Sequence, residues 1–348
     1  MIMVLRNLLY PGMVFKSTEE GHIYLGAKTN RRELMSQIKA ILVDPDVPGK
    51  LAVKEVEGPT PKPNEALIRV AAISLNRGEV RRAQTARPGT RIGWDIAGTV
   101  EEPAADGTGP SAEQRVVGVL QTGAWAELIN VPTNALAALP DSVSFSQAAT
   151  LPVAGLTALY ALEKGGGVLG RNVLVTGASG GVGDFAVQLG VLAGARVTGL
   201  VRQERHVNAV REAGAHNVVA DETGEAAGAY GLYHLIIESV GGRVLANVLR
   251  MLAAGGTCVS LGVSSNEPAT FEGGRFLSAG RSTLYSFNIF NELPFHPASE
   301  GLARLADLIA EGKLHPRIEI EAPWTEIGSV AQQLIDRQYP GKAVLLVS

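Results

Sequence analysis

The chain has 348 residues, 46% of them hydrophobic and 19% charged, with a net charge of −3. That is enough for two domains with separate cores and too apolar for a disordered chain, and the slight negative charge speaks against a general binder of nucleic acid or membrane surfaces. The single cysteine, Cys258, excludes internal disulfides and cysteine-built zinc clusters and fits a reducing cytoplasm, while no apolar run is long enough to span a membrane.

Residues 1–35 have no clear period. Their apolar start contains Arg6 and lacks the basic opening, long apolar block and small-residue cleavage site of a secretory signal. They read as an N-terminal extension, disordered or left by a mis-set start codon; the alternative is an arm that pairs with a second subunit. From Ser36 to about Leu151 strands dominate, over 38–43, 51–57, 65–74, 96–101, 115–120 and 123–132, between turns rich in proline, asparagine and glycine. The run 151–162 reads as a buried helix entering a second domain.

The densest signal lies over 173–202. Val173 to Thr176 form a short buried strand, and Gly177-Ala178-Ser179-Gly180-Gly181-Val182-Gly183 follows at once. A helix of small and apolar residues and a second strand over 196–201 complete the unit. This order places a helix N-terminus beside a diphosphate. Gly180 and Gly181 let a phosphate approach the backbone, Gly183 lets the helix pack on the strand, and the first helical N–H groups favour negative charge. Ser179, Gly180, Gly181 and Val182 are therefore cofactor-binding candidates, although Ala178 departs from the first glycine of G-x-G-x-x-G. The second strand ends without the acidic residue that would bond the ribose hydroxyls of NAD; Arg202 and Arg205 follow instead. They predict NADP(H), whose 2′-phosphate suits guanidinium groups, against the alternative that both are solvated charges tempered by Glu204.

Strands then alternate with helices: helix 203–213, strands 217–220 and 235–239, helix 243–252 and strand 256–261. The pattern implies a doubly wound parallel sheet with ligand contacts at the strand C-termini. The turns carrying Val240 and Leu261-Gly262-Val263 fall on that edge and are read as cofactor contacts. The tail holds an amphipathic helix with Leu302, Leu305, Leu308 and Ile309, a strand over 318–321, a helix over 327–337 and a closing strand over 343–347. We assign residues 36–154 and 287–348 to a discontinuous β-rich domain and 155–286 to the doubly wound one.

The chain resembles the medium-chain dehydrogenase/reductase superfamily, and within it the zinc-free quinone oxidoreductase, or zeta-crystallin-like, branch. The resemblance covers about residues 37–348. It rests on Ala178-Ser-Gly-Gly-Val-Gly183, Leu151-Pro-Val-Ala-Gly-Leu-Thr-Ala158, Gly93-Trp-Asp-Ile-Ala-Gly98 and Gly341-Lys-Ala-Val-Leu345. It implies an α/β protein with a GroES-like catalytic domain, a Rossmann domain, an active site between them, and a homodimer. Zinc-dependent members carry Gly-His-Glu where this chain has Gly93-Trp94-Asp95, and their four-cysteine lobe is missing, so no metal is expected. Without a Lewis acid, a hydride acceptor that already spreads charge is served best. The expected reaction is NADPH-dependent reduction of a quinone or conjugated carbonyl; enoyl-thioester reduction and a non-catalytic redox sensor are the alternatives.

By the same resemblance Asn76 stands near nicotinamide and substrate, Thr157 lies on the nicotinamide side and Lys342 reaches the phosphates. Phe287 and Ile289 fall on the loop that lines the nicotinamide pocket. The family's tyrosine after Asn-x-x-Asp is absent, and Arg81 stands near its place. Arg81 is thus a candidate catalytic residue, bonding an enolate or quinol oxygen, with a plain surface charge beside Arg82 as the equal alternative.

Overall fold

The computed structural model describes residues 37–348, so the extension expected over residues 1–35 lies outside the described residues. Strands β1 (Gln37–Val43) and β2 (Leu51–Glu57) form an antiparallel pair. Next come β3 (Glu65–Ser74), β4 (Asp95–Glu102), β5 (Arg115–Val119), β6 (Leu128–Pro132) and β7 (Leu136–Ala138). A second group follows: β8 (Asn172–Thr176), β9 (Arg196–Val201), β10 (Asn217–Ala220), β11 (Tyr233–Glu238), β12 (Leu252–Ser260) and β13 (Thr283–Ser286). These build a six-stranded sheet, ordered β10-β9-β8-β11-β12-β13, in which every pair is parallel. The chain then returns: β14 (Ile318–Pro323) and β15 (Lys342–Leu346) join β3 in a seven-stranded sheet.

Central strand β8 explains why its sequence is apolar without alternation. Val173 and Val175 face one core with Phe185, Ala186 and Leu189 of the helix Gly181–Leu192. Leu174 faces the opposite core with Val248 and Leu249 of the helix Gly242–Leu249. Both faces are covered, so neither tolerates a polar residue. Each fully buried leucine or valine contributes roughly 1.5–3 kcal/mol. A further core, built on Trp125, Trp324, Ile68 and Ile96, fills the seven-stranded sheet. The helix Ala298–Ala310 buries Leu302, Leu305 and Ile309 in the core shared with Leu156 and Leu159.

Several elements differ from the sequence expectation. The run 151–162 is not one regular helix: Leu151–Gly155 is a π turn and Leu156–Glu163 an α-helix. The Val153 N–H inside that turn donates 3.1 Å to Asp95 Oδ1. The helix expected over 203–213 begins as a 3-10 turn, Glu204–His206, before the α-helix Val207–Glu212. Strand β12 starts at Leu252, four residues earlier than expected. The helix Arg77–Thr85 was not expected at all; only Glu79, Val80 and Ala83 are buried in it, too few to print a period. Its start is fixed by a capping box between Asn76 and Glu79.

Candidate active site

A cavity of about 580 Å³ runs along the C-terminal edge of the parallel sheet, with β15 and the helix Arg77–Thr85 as its other wall. Its floor is the glycine turn. Gly177 takes φ +59°, and a Cβ on Gly183 would stand 2.3 Å from the Gly177 carbonyl oxygen. The helix Gly181–Leu192 therefore starts in close contact with β8. Gly180 caps it without a side chain, so its first-turn N–H groups have no intrahelical acceptor and face the cavity. Ser179, Gly180, Gly181 and Val182 all line this floor. A strand-like bridge, Gly341 N–H to Ser179 O at 2.8 Å, ties the floor to the start of β15.

Val240, Leu261, Gly262 and Val263 line the same cavity from the ends of β11 and β12. Thr157, Phe287 and Ile289 line it too. Trp94 packs edge to face on Phe290, ring centres 5.2 Å apart, and both rings reach the cavity wall. Arg202 lines the cavity, but Arg205 does not: it is exposed, and its guanidinium donates to His206 Nε2 at 3.3 Å. The turn Glu204–His206 carries Arg205 outward and brings His206 to the wall instead. Burial, with Arg205 and Arg202 nearby, holds the His206 imidazole below its usual range.

Lys342, expected to reach the phosphates, lines the cavity beside the glycine turn. Its stem passes Gly181, and Nζ donates to Leu75 O at 2.9 Å, Asn76 Oδ1 at 2.6 Å and Asp95 Oδ2 at 3.4 Å. Asn76 is the hub of this network. Its amide donates 3.0 Å to Glu79 Oε1 and 2.7 Å to Asp95 Oδ2, so both its N–H bonds are committed within the protein. Burial and the Asp95 charge push the Glu79 carboxyl well above the usual carboxylate range, and its Oε2 has no partner among the described residues.

Arg81, the candidate catalytic group, lines the cavity. It crosses the cleft and donates to Val263 O at 3.3 Å and Ser264 O at 3.1 Å. Arg337 makes a parallel contact, 2.8 Å to Ser264 O. Carbonyls of a turn from the opposite domain satisfy both guanidinium groups. Sequence reasoning missed Arg77, Arg337 and Tyr339, which also line the cavity. Arg77 sits one helical turn before Arg81, and that spacing was the available signal.

At the position where zinc enzymes carry ligands, Trp94 is packed on Phe290 and Asp95 is held by Lys342, Asn76 and the Val153 amide. Among the described residues no three His, Cys, Asp or Glu side chains are grouped as a metal site. No helix among them is long and apolar enough to cross a membrane.

Known proteins match this architecture. Residues 62–141 match the alcohol dehydrogenase GroES-like domain, and residues 181–306 match the zinc-binding dehydrogenase model. A chloroplast envelope quinone oxidoreductase homolog from Arabidopsis thaliana is 30% identical over 311 residues, covering 84% of this chain and 92% of that protein. A mycocerosic acid synthase-like polyketide synthase from Mycobacterium tuberculosis is 26% identical over 82% of this chain, which spans 14% of the synthase. The quinone oxidoreductase from Coxiella burnetii superposes with a TM-score of 0.75 at 26% identity, over 90% of this chain and 100% of that one. A mycobacterial protein solved in complex with NADPH gives a TM-score of 0.78 at 28% identity, over 89% and 99%. The chain belongs to the medium-chain dehydrogenase/reductase superfamily and, within it, to the zinc-free quinone oxidoreductase branch.

Proposed function

We propose that this oxidoreductase uses NADPH to reduce quinones or α,β-unsaturated carbonyls. The observation that carries the reading is one continuous cavity with a bare-backbone helix start on its floor and, on its wall, arginines that have no carboxylate partner among the described residues. The first is suited to a diphosphate, the second to a phosphate monoester. The buried Tyr339 hydroxyl and Gln203 Oε1, in residues of the cavity wall and without partners among the described residues, are further sites that a bound nucleotide would satisfy.

When bound, the dinucleotide supplies the hydride. The chain's residues do the rest. Ser179 to Val182 hold the diphosphate. Thr157, Phe287 and Ile289 form the wall of the reacting end, and Trp94 and Phe290 keep water from it. Asn76 is held rigid by Glu79, Asp95 and Lys342, which fixes the shape of that wall without a metal.

Enoyl-thioester reduction is the second reading, favoured by the match to part of a polyketide synthase. Steady-state NADPH oxidation with a panel of quinones, enals and enoyl thioesters tests both. Turnover on quinones or enals is expected; turnover only on thioesters favours the second reading, and none on any substrate overturns both.

A further inference from the structure

Four guanidinium groups gather on the cavity wall: Arg77, Arg81, Arg202 and Arg337. They are close enough that Arg337, Arg81 and Arg202 all disfavour the charge on Arg77, whose guanidinium is pulled to about 10, chiefly by burial. Among the described residues none of the four has a carboxylate within ion-pair distance, and Arg77 and Arg202 have no hydrogen-bond acceptor at all. Like charges packed together without a counter-charge are destabilising. Arg337 adds backbone strain, with φ +58° at a non-glycine residue.

Beside Arg77 lies Tyr339. Among the described residues its buried hydroxyl has no partner, and burial pushes the phenol above its usual range, so it stays an O–H donor. Buried donors are almost always satisfied, and one left without an acceptor beside an unpaired guanidinium points to an absent oxyanion. Three features choose its chemistry. Several positive groups call for a dianion. A planar fork and a hydroxyl together match the tetrahedral oxygens of a phosphate monoester. Tyr339 is two residues before Gly341, whose N–H is bonded to Ser179 O on the phosphate floor.

Resting on the NADPH reading, we infer that Arg77 and Tyr339, which lie across the cleft from the end of β9, seat the 2′-phosphate of the dinucleotide together with Arg202. The choice between NADPH and NADH is then made across the cleft rather than by the end of β9 alone. The diphosphate offers similar oxygens, so the test separates the two phosphoryl groups.

Calorimetric titration of 2′,5′-ADP and 5′-ADP into the wild type, Arg77→Gln and Tyr339→Phe does this without turnover. For 2′,5′-ADP the affinity falls about tenfold or more in Arg77→Gln and about threefold or more in Tyr339→Phe, while 5′-ADP changes less than about twofold. Without nucleotide both variants keep or raise the melting temperature, because each loses an unpartnered group. Equal weakening of both nucleotides assigns the residues to the diphosphate and overturns the inference, as does no change. A wild type that fails to prefer 2′,5′-ADP overturns the NADPH reading as well; a preference retained in the variants overturns only the inference. Should Arg77→Gln fail to fold, Tyr339→Phe, which removes one oxygen, decides.

Discussion

Lys342 lines the cavity and is also fixed by buried partners. Its ammonium is 3.4 Å from Asp95 Oδ2, and both side chains are almost wholly buried. Lys342→Met leaves Asp95 without its cation, and breaking a buried pair in this way costs about 3–5 kcal/mol. Chemical denaturation should show that loss, and adding Asp95→Asn should recover part of it; a single variant as stable as the wild type would contradict the network. Asp184 makes the opposite kind of prediction. Burial, opposed by Arg317, pushes its carboxyl up to about 6 from 3.8. The folded chain therefore binds a proton more tightly than the unfolded one, and stability falls as pH rises from about 4 to about 6. Asp184→Asn removes that fall, giving a gain of about 1–3 kcal/mol at pH 7.5 and none at pH 4. Melting curves at the two pH values check it, and equal effects at both would refute it.

At the scale of elements, the glycine turn is tightly constrained. A Cβ on Gly183 would meet Gly177 O at 2.3 Å and Ala178 Cα at 2.7 Å, both backbone atoms that cannot swing aside. Gly183→Ala should cost about 1–3 kcal/mol and weaken dinucleotide binding, measured by thermal denaturation and NADPH titration. Gly273→Ala, with nothing within 4 Å of the added carbon, should do neither. This turn was legible because its chemistry is local: strand, glycines and helix are contiguous, and the apolar run of β8 records burial on both faces. The helix Arg77–Thr85 was not legible, since its capping box is local but its buried face is only three residues. The pairing of Lys342 with Asp95 was not legible because the two are 247 residues apart. Arg77 and Tyr339 were missed for a similar reason: only the return of β15 to the seven-stranded sheet brings their segments to one wall.

Over the whole molecule, two sheets share one cleft, and a few contacts hold its walls together. Arg81 and Arg337 bond the carbonyls of Val263 and Ser264 from the opposite side. Without them the turn keeps its own bonds, Ser264 N–H to Ser239 O at 3.2 Å and Ser265 N–H to Val240 O at 2.8 Å. An Arg81→Ala/Arg337→Ala protein should therefore exchange the amides of residues 262–265 faster while the protection of β8 is unchanged, as read by hydrogen exchange and mass spectrometry. Unchanged exchange there would mean that the crossing bonds do not hold the turn.

The central proposal is the path of a dinucleotide along the edge of the parallel sheet. A crystal structure of the protein grown with NADPH measures that path directly. The account predicts the diphosphate over the amides of Gly181 and Val182 and the 2′-phosphate among Arg77, Arg202 and Tyr339. A nucleotide bound elsewhere, or a 2′-phosphate lying in solvent away from those side chains, would contradict it.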